Sequence, residues 1–157
     1  MPGGSCFADT NVLLYSFDSR DAVKREKARE WIDYLWRTGE GRLSWQVLNE
    51  FYANASRKMS VPAAEAREAV TIFSQWRPAG ISMAVFDRAW HWMDRAQLSW
   101  WDSLILASAE RLGCRWLVSE DFQSGRNYEG ITVINPFEQT PGVHASAEFK
   151  PGAPKVS

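Results

Sequence analysis

A chain of 157 residues accommodates one domain with a buried core and is too short for two comfortable ones. Apolar residues at 45% and charged residues of both signs at 24% exclude a disordered chain, and the formal net charge of -1 excludes the broad positive field of a protein that coats duplex DNA. No apolar run approaches the roughly 18 residues of a membrane-spanning helix, and the start MPGGSCFADT lacks the basic, apolar and small-residue order of a signal peptide, so a cytoplasmic protein with no membrane partner is expected.

In chain order, Ser5 to Ala8 is short and apolar-biased and is followed by the helix-capping residues Asp9, Thr10 and Asn11, which predicts a strand running straight into a helix at Val12 to Phe17. Asp9 then sits at the strand's carboxyl end. Ala28, Trp31, Ile32 and Leu35 recur at helical spacing between Asp21 and Arg37, and Gly39 with Gly41 closes that amphipathic helix. A brief strand at Arg42 to Ser44 leads to a helix over Trp45 to Met59, with Glu50 beside its apolar stripe of Leu48, Phe51, Tyr52, Ala55 and Met59.

Pro62 suits the first position of a helix reaching Trp76, which Pro78-Ala79-Gly80 breaks. The next helix covers Ala84 to Ala96, with Phe86, Ala89, Trp90 and Met93 expected inward. Ser99 to Asp102 has the spacing of a capping box, and the helix it opens, to Leu112, is apolar on nearly every side and therefore buried. Gly113 stops it, Cys114 to Ser119 is expected as an inner strand, and Ile131 to Ile134 as the last strand.

Strands alternating with helices predict an α/β fold with a parallel sheet covered on both faces. The expected domain spans 1–137, and the Pro-, Gly-, Ala- and Ser-rich stretch 138–157 is expected as a mobile tail. Cys6 and Cys114 lie in apolar strands without CxxC spacing or nearby histidine, and are expected as reduced core thiols. His91 and His144 suggest no catalytic role.

Four acids stand out by position: Asp9 and Asp121 at strand ends, Glu50 beside an apolar stripe, and Asp102 in the first turn of a buried helix. Each has a purely structural explanation, as a cap, a turn former or a solvated helical side chain. Together they suggest a site, because ligands of parallel sheets bind beyond the carboxyl ends of the strands. Carboxylates drawn into one cleft repel one another unless cations compensate, and a set without histidine or cysteine favours Mg²⁺ or Mn²⁺ over zinc. Such a site can hydrolyse a phosphodiester.

The segments FADTNVL at Phe7 to Leu13, LNEF at Leu48 to Phe51, WWDSLILASA at Trp100 to Ala109 and LVSEDF at Leu117 to Phe122 resemble, in order and spacing, the motifs of PIN domains, and most closely the VapC-type toxins. The resemblance covers about Cys6 to Phe137 and ends on VINPF at Val133 to Phe137. It implies a three-layer α/β/α fold with strand order 3-2-1-4-5 and a Mg²⁺- or Mn²⁺-dependent endoribonuclease acting on single-stranded RNA. It further implies the toxin role of a toxin–antitoxin pair, a small VapB-like antitoxin as inhibitor, and a homodimer.

Carried over residue by residue, the family's acidic set falls on Asp9, Glu50, Asp102 and Asp121, with Asp9 and Asp102 as principal metal ligands and Glu50 and Asp121 holding a second ion or positioning water. Asn11 and Ser119 match supporting positions that orient the acids. A loop shift of one residue would exchange Asp121 for Glu120. A PIN-type nuclease of RNA processing or DNA flap cleavage, and a non-catalytic domain that binds RNA or protein, are the alternative readings. Arg42, Arg57, Lys58 and Arg126 are candidate phosphate contacts, Trp31, Tyr34, Leu35 and Tyr52 a candidate antitoxin groove, and Trp92 a candidate dimer contact.

Overall fold

The computed structural model describes residues 3–146 and 149–150. Three strands are buried along their whole length: β1 (Cys6–Ala8), β3 (Trp116–Val118) and β5 (Ile131–Ile134). Their side chains meet helices on both faces, so they read as continuous apolar runs rather than alternating ones. β2 (Gly41–Arg42) pairs with β1 in parallel, and Gly41 is required there because a Cβ would lie 2.7 Å from the Trp76 ring.

The sheet order is β2-β1-β3-β5-β4, which overturns the expected 3-2-1-4-5. Two local features account for the difference. β4 (Asn127–Tyr128) forms an antiparallel hairpin with β5 through Glu129 and Gly130, both at positive φ (51° and 107°), the conformation that two-residue hairpin loops need. This puts the later strand, β5, inside and the earlier one at the edge. At the other edge, the strand expected beyond β2 shrinks to a single parallel bridge between Ser44 and Ala79, flanked by Pro78, which has no N–H to give.

Six α-helices surround the sheet among the described residues: α1 (Thr10–Tyr15), α2 (Ala22–Thr38), α3 (Trp45–Lys58), α4 (Ala63–Phe73), α5 (Met83–Ala96) and α6 (Trp100–Arg111). α1 packs against α2 and α3, α3 against α4, and α5 against α6. Asp9, Asp21, Ser44, Ser82 and Ser99 each accept a backbone N–H at their helix's start. α6 is buried from Ser103 to Ala109, as its all-round apolar sequence requires.

α5 turns a different face inward from the one expected. Val85, Ala89 and Trp92 are buried while Trp90 is 47% exposed, because the Trp92 indole N–H reaches Glu110 on α6 and its ring meets Tyr128 edge-on. The exposed aromatic on α5 is therefore Trp90, and Trp92 is unavailable for a dimer contact. Trp31 and Leu35, expected in an antitoxin groove, are fully buried core residues.

Within the stretch expected as a tail, Val143–Ala145 forms a 3-10 turn whose His144 is buried among Trp31, Tyr34 and Trp116. Residues 147–148 and 151–157 of that stretch lie outside the described residues. No helix among the described residues is long and apolar enough to cross a membrane.

Candidate functional site

Asp9 follows β1 and Ser119 follows β3, and since these strands pair in parallel register the two residues emerge side by side at the sheet's carboxyl end. Ser119 Oγ donates to Asp9 Oδ2 at 2.7 Å and accepts from the Asp121 backbone N–H at 3.0 Å. Asp9 Oδ1 accepts from the Thr10 N–H at 2.7 Å, the capping bond that starts α1. Asn11, in the first turn of α1, donates to Asp121 Oδ2 at 3.1 Å and to Ser119 Oγ at 3.2 Å, and its Oδ1 accepts from the Glu120 N–H at 3.3 Å. The strand ends and α1 are thus laced together by one network of polar side chains.

The other two acids reach the network from opposite helices. Thr10 Oγ1 donates to Glu50 Oε2 at 2.7 Å, and Gln46, one turn earlier on α3, donates to Glu50 Oε1 at 3.0 Å and to the Trp101 carbonyl at 3.2 Å. Gln46 therefore fixes Glu50 and joins α3 to the first turn of α6, where Asp102 stands with its backbone N–H on Ser99 Oγ. Sequence reasoning missed Thr10 and Gln46; the i, i+4 spacing of Gln46 and Glu50 was the available signal.

Burial raises the Asp9 carboxyl to about 7, against the hydrogen bonds from Ser119 and Thr10, with Asp121 and Asp102 pushing it further up. Asp102 is likewise raised, by burial first and then by Asp121, with Glu50 adding to it. These carboxyls thus repel one another across a shared space, and Asp9, Glu50, Asp102 and Asp121 are brought together. Glu120 is not among them: it is ion-paired to Lys24 on α2. Of the expected cations, Arg126 stacks over Tyr128, a residue close enough to Asp102 to feel its charge. Arg42 instead donates to the Gly39 and Gly41 carbonyls.

Residues 6–127 match the PIN domain family over most of the chain. The chain belongs to the PIN-domain family. The PIN fold is also found in solved structures of low sequence identity. The Mycobacterium tuberculosis toxin VapC20, described as cleaving the sarcin-ricin loop, is 20% identical, with 74% of this chain and 90% of that one covered and a TM-score of 0.57. A toxin–antitoxin complex from Klebsiella pneumoniae is 18% identical over 84% and 98%, with a TM-score of 0.60. VapBC2 from Rickettsia felis, bound to a promoter DNA fragment, is 14% identical over 82% and 96%, with a TM-score of 0.53. No curated protein matches the sequence significantly.

Among the described residues, one group of His, Cys, Asp or Glu has its ligand atoms close enough together to hold a metal ion, and it lies apart from the four acids. The ligand atoms of Cys6, Glu40 and His144 all lie within 4.8 Å of one another, and all three residues are buried. Cys6 thus has the histidine company that its sequence neighbourhood lacks. Burial and then the Glu40 charge push its thiol up, while burial pushes His144 down. Cys114, also a buried free thiol, is raised by burial to about 12.

Proposed function

We propose that this PIN domain is a Mg²⁺- or Mn²⁺-dependent endoribonuclease, the toxin of a VapBC-type toxin–antitoxin pair. The observation that carries the reading is the convergence of four carboxyl groups: Asp9, Glu50 and Asp121 share one hydrogen-bond network, and Asp102 is coupled to them by charge. Asp9 is raised by burial, Asp121 and Asp102, and Asp102 by burial, Asp121 and Glu50. All the donors are hard oxygens, and a divalent cation is what allows such carboxylates to be ionised together. When bound, a divalent metal polarises the phosphodiester, activates water and stabilises the leaving oxygen.

The chain's own residues supply the positioning. Asp9 and Asp102 are the principal ligands, Ser119 and the Thr10 N–H hold the Asp9 carboxylate in one orientation, and Thr10 with Gln46 does the same for Glu50. Asn11 ties Asp121 to the same network, which supports a role for Glu50 and Asp121 in holding a second ion or orienting the attacking water. RNA is the favoured substrate because the structurally similar VapC20 is described as a sarcin-ricin loop cleaving toxin.

An antitoxin partner is supported by the toxin–antitoxin complexes among the similar structures. The surface suited to it is a groove of about 520 Å³ between α2 and α4, floored by Phe17, Ile32, Trp36 and Phe73 and rimmed by Glu65 and Glu68. An amphipathic helix with basic flanks fits that apolar floor and acidic rim.

The test is cleavage of a labelled single-stranded RNA with Mg²⁺, with Mn²⁺ and with EDTA, for the wild type and for Asp9→Asn and Asp102→Asn. Metal-dependent cleavage that both variants lose is the expected result. Wild-type silence across varied RNAs, with no metal bound at the cleft, would overturn the nuclease assignment. Growth arrest on expression, relieved by a small co-encoded protein, checks the toxin role.

A further inference from the structure

The Cys6, Glu40 and His144 group stands at the opposite end of the sheet from the acids. Cys6 opens β1 and Asp9 follows its last residue, a separation of about 10 Å along an extended chain, so one ion cannot serve both sites. The nuclease reading makes no use of this second group.

Three observations mark it as a built site. First, Glu40 Oε2 is one of only three buried side-chain polar atoms among the described residues that lack a hydrogen-bond partner. A carboxylate 6% exposed, with an oxygen facing no donor, is costly to bury unless a cation answers it. Second, Cys6 Sγ lies 3.7 Å from His144 Nε2. Sulfur and nitrogen bound to one tetrahedral zinc, at about 2.3 and 2.0–2.1 Å, stand roughly 3.6 Å apart. The thiol's other polar contact, with the Gly4 carbonyl, is equally long at 3.7 Å and does not hold it elsewhere. Third, room for the carboxylate is made by a glycine: a Cβ on Gly3 would come within 2.9 Å of Glu40 Oε2.

We propose that Cys6 Sγ, a Glu40 carboxylate oxygen and His144 Nε2 bind a zinc-class divalent ion, which clips the turn at Val143–Ala145 to the amino-terminal end of the sheet. Thiolate, imidazole and carboxylate in one set select a borderline-soft ion over Mg²⁺. The rings of Trp31, Tyr34 and Trp116 wall in the imidazole and keep water from it. The ligands come from β1, from the residue before β2 and from a turn 138 positions after Cys6, so the ion closes a loop spanning almost the whole domain. A closure that binds only the folded chain adds its binding free energy to folding.

The full-length chain, freed of metal with a chelator, is titrated with Co²⁺ and then with Zn²⁺. The expected result is a thiolate-to-cobalt charge-transfer band saturating at one equivalent and abolished by Zn²⁺, together with a rise in Tm on adding Zn²⁺. The band disappears in Cys6→Ser, needs at least tenfold more Co²⁺ to saturate in His144→Gln, and persists in Cys114→Ser and in Asp102→Asn. Absence of a thiolate band in the wild type would overturn the proposal whether or not any variant folds. So would a band that survives Cys6→Ser in a variant whose near-ultraviolet circular dichroism matches the wild type.

Discussion

The two ends of β1 make a contrast in how one strand presents ionisable groups. At its carboxyl end Asp9 enters a network of hydroxyls, amides and backbone N–H groups that leaves its oxygens hydrogen-bonded yet its carboxyl raised to about 7. At its amino end Cys6 faces Glu40 and His144, where the buried Glu40 Oε2 has no hydrogen-bond partner. The first arrangement gathers hard oxygens at the carboxyl end of the sheet and suits an ion that exchanges water and substrate. The second encloses soft and nitrogen donors behind aromatic rings and suits an ion that stays.

Asp102→Asn breaks the contrast most sharply on the cleft side. The change removes one of the carboxylates that press on Asp9 and takes a ligand from the proposed metal, so RNA cleavage should fall by well over 10²-fold, more than the ~10–100-fold typical of losing an outer-shell partner. Folding stability should hold or rise, because the lost charge is one that burial and Asp121 already oppose. Urea unfolding beside the cleavage assay checks both halves. A variant that keeps its cleavage would remove Asp102 from the ligand set.

His144→Ala sharpens the other side. The imidazole is 4% exposed and touches Trp31, Tyr34 and Trp116, so truncation leaves a cavity in addition to any lost ligand. The expected cost is about 3 kcal/mol, the scale of emptying a buried ring's place. Denaturant unfolding in the presence of chelator gives the packing part alone, and adding Zn²⁺ should widen the gap from the wild type. An unchanged midpoint would show that the turn at 143–145 contributes nothing to the fold.

The cleft should also announce itself through pH. The Asp9 carboxyl titrates near its ordinary value of 3.8 when unfolded and near 7 when folded, so between about pH 4 and pH 7 the folded chain binds more protons than the unfolded one. Stability of the metal-free protein then falls as pH rises through that window, by on the order of a few kcal/mol. Asp9→Asn should flatten the slope and leave the variant more stable at the alkaline end. Equal slopes for both proteins would mean that Asp9 is ionised in the fold without help from a cation.

The unequal legibility of the two ends has a physical cause. That Asp9 closes a strand and caps a helix is written in adjacent residues, and its four-residue neighbourhood carries the whole signal. The amino end depends on residues 138 positions apart, in a stretch whose Pro- and Gly-rich composition hides an ordered turn, so no local pattern could pair Cys6 with His144. The strand order failed for a related reason: a two-residue strand such as β4 is too short for periodicity, and only the positive-φ pair Glu129 and Gly130 betrays the hairpin. On α5 both Trp90 and Trp92 satisfy helical spacing, and it is the distant Glu110 that decides which one is buried.

The smallest effect settles which acid completes the cleft. Glu120 and Asp121 are neighbours in sequence but face different partners, Lys24 on α2 and Asn11 on α1. The Lys24 pair is partly exposed on both sides, so Glu120→Gln should cost no more than about 1 kcal/mol and leave cleavage within a factor of about three. Asp121→Asn, which alters a group that presses on both Asp9 and Asp102, should lower cleavage by about 10–100-fold with little change in stability. The pair is informative because the two substitutions are chemically alike and one residue apart. If Glu120→Gln is the one that loses activity, the loop must shift on binding substrate so that Lys24 releases its partner, and the fourth acid is Glu120. If neither does, Asp9, Glu50 and Asp102 suffice for the chemistry, and the role of Asn11 is to fix the loop rather than a ligand.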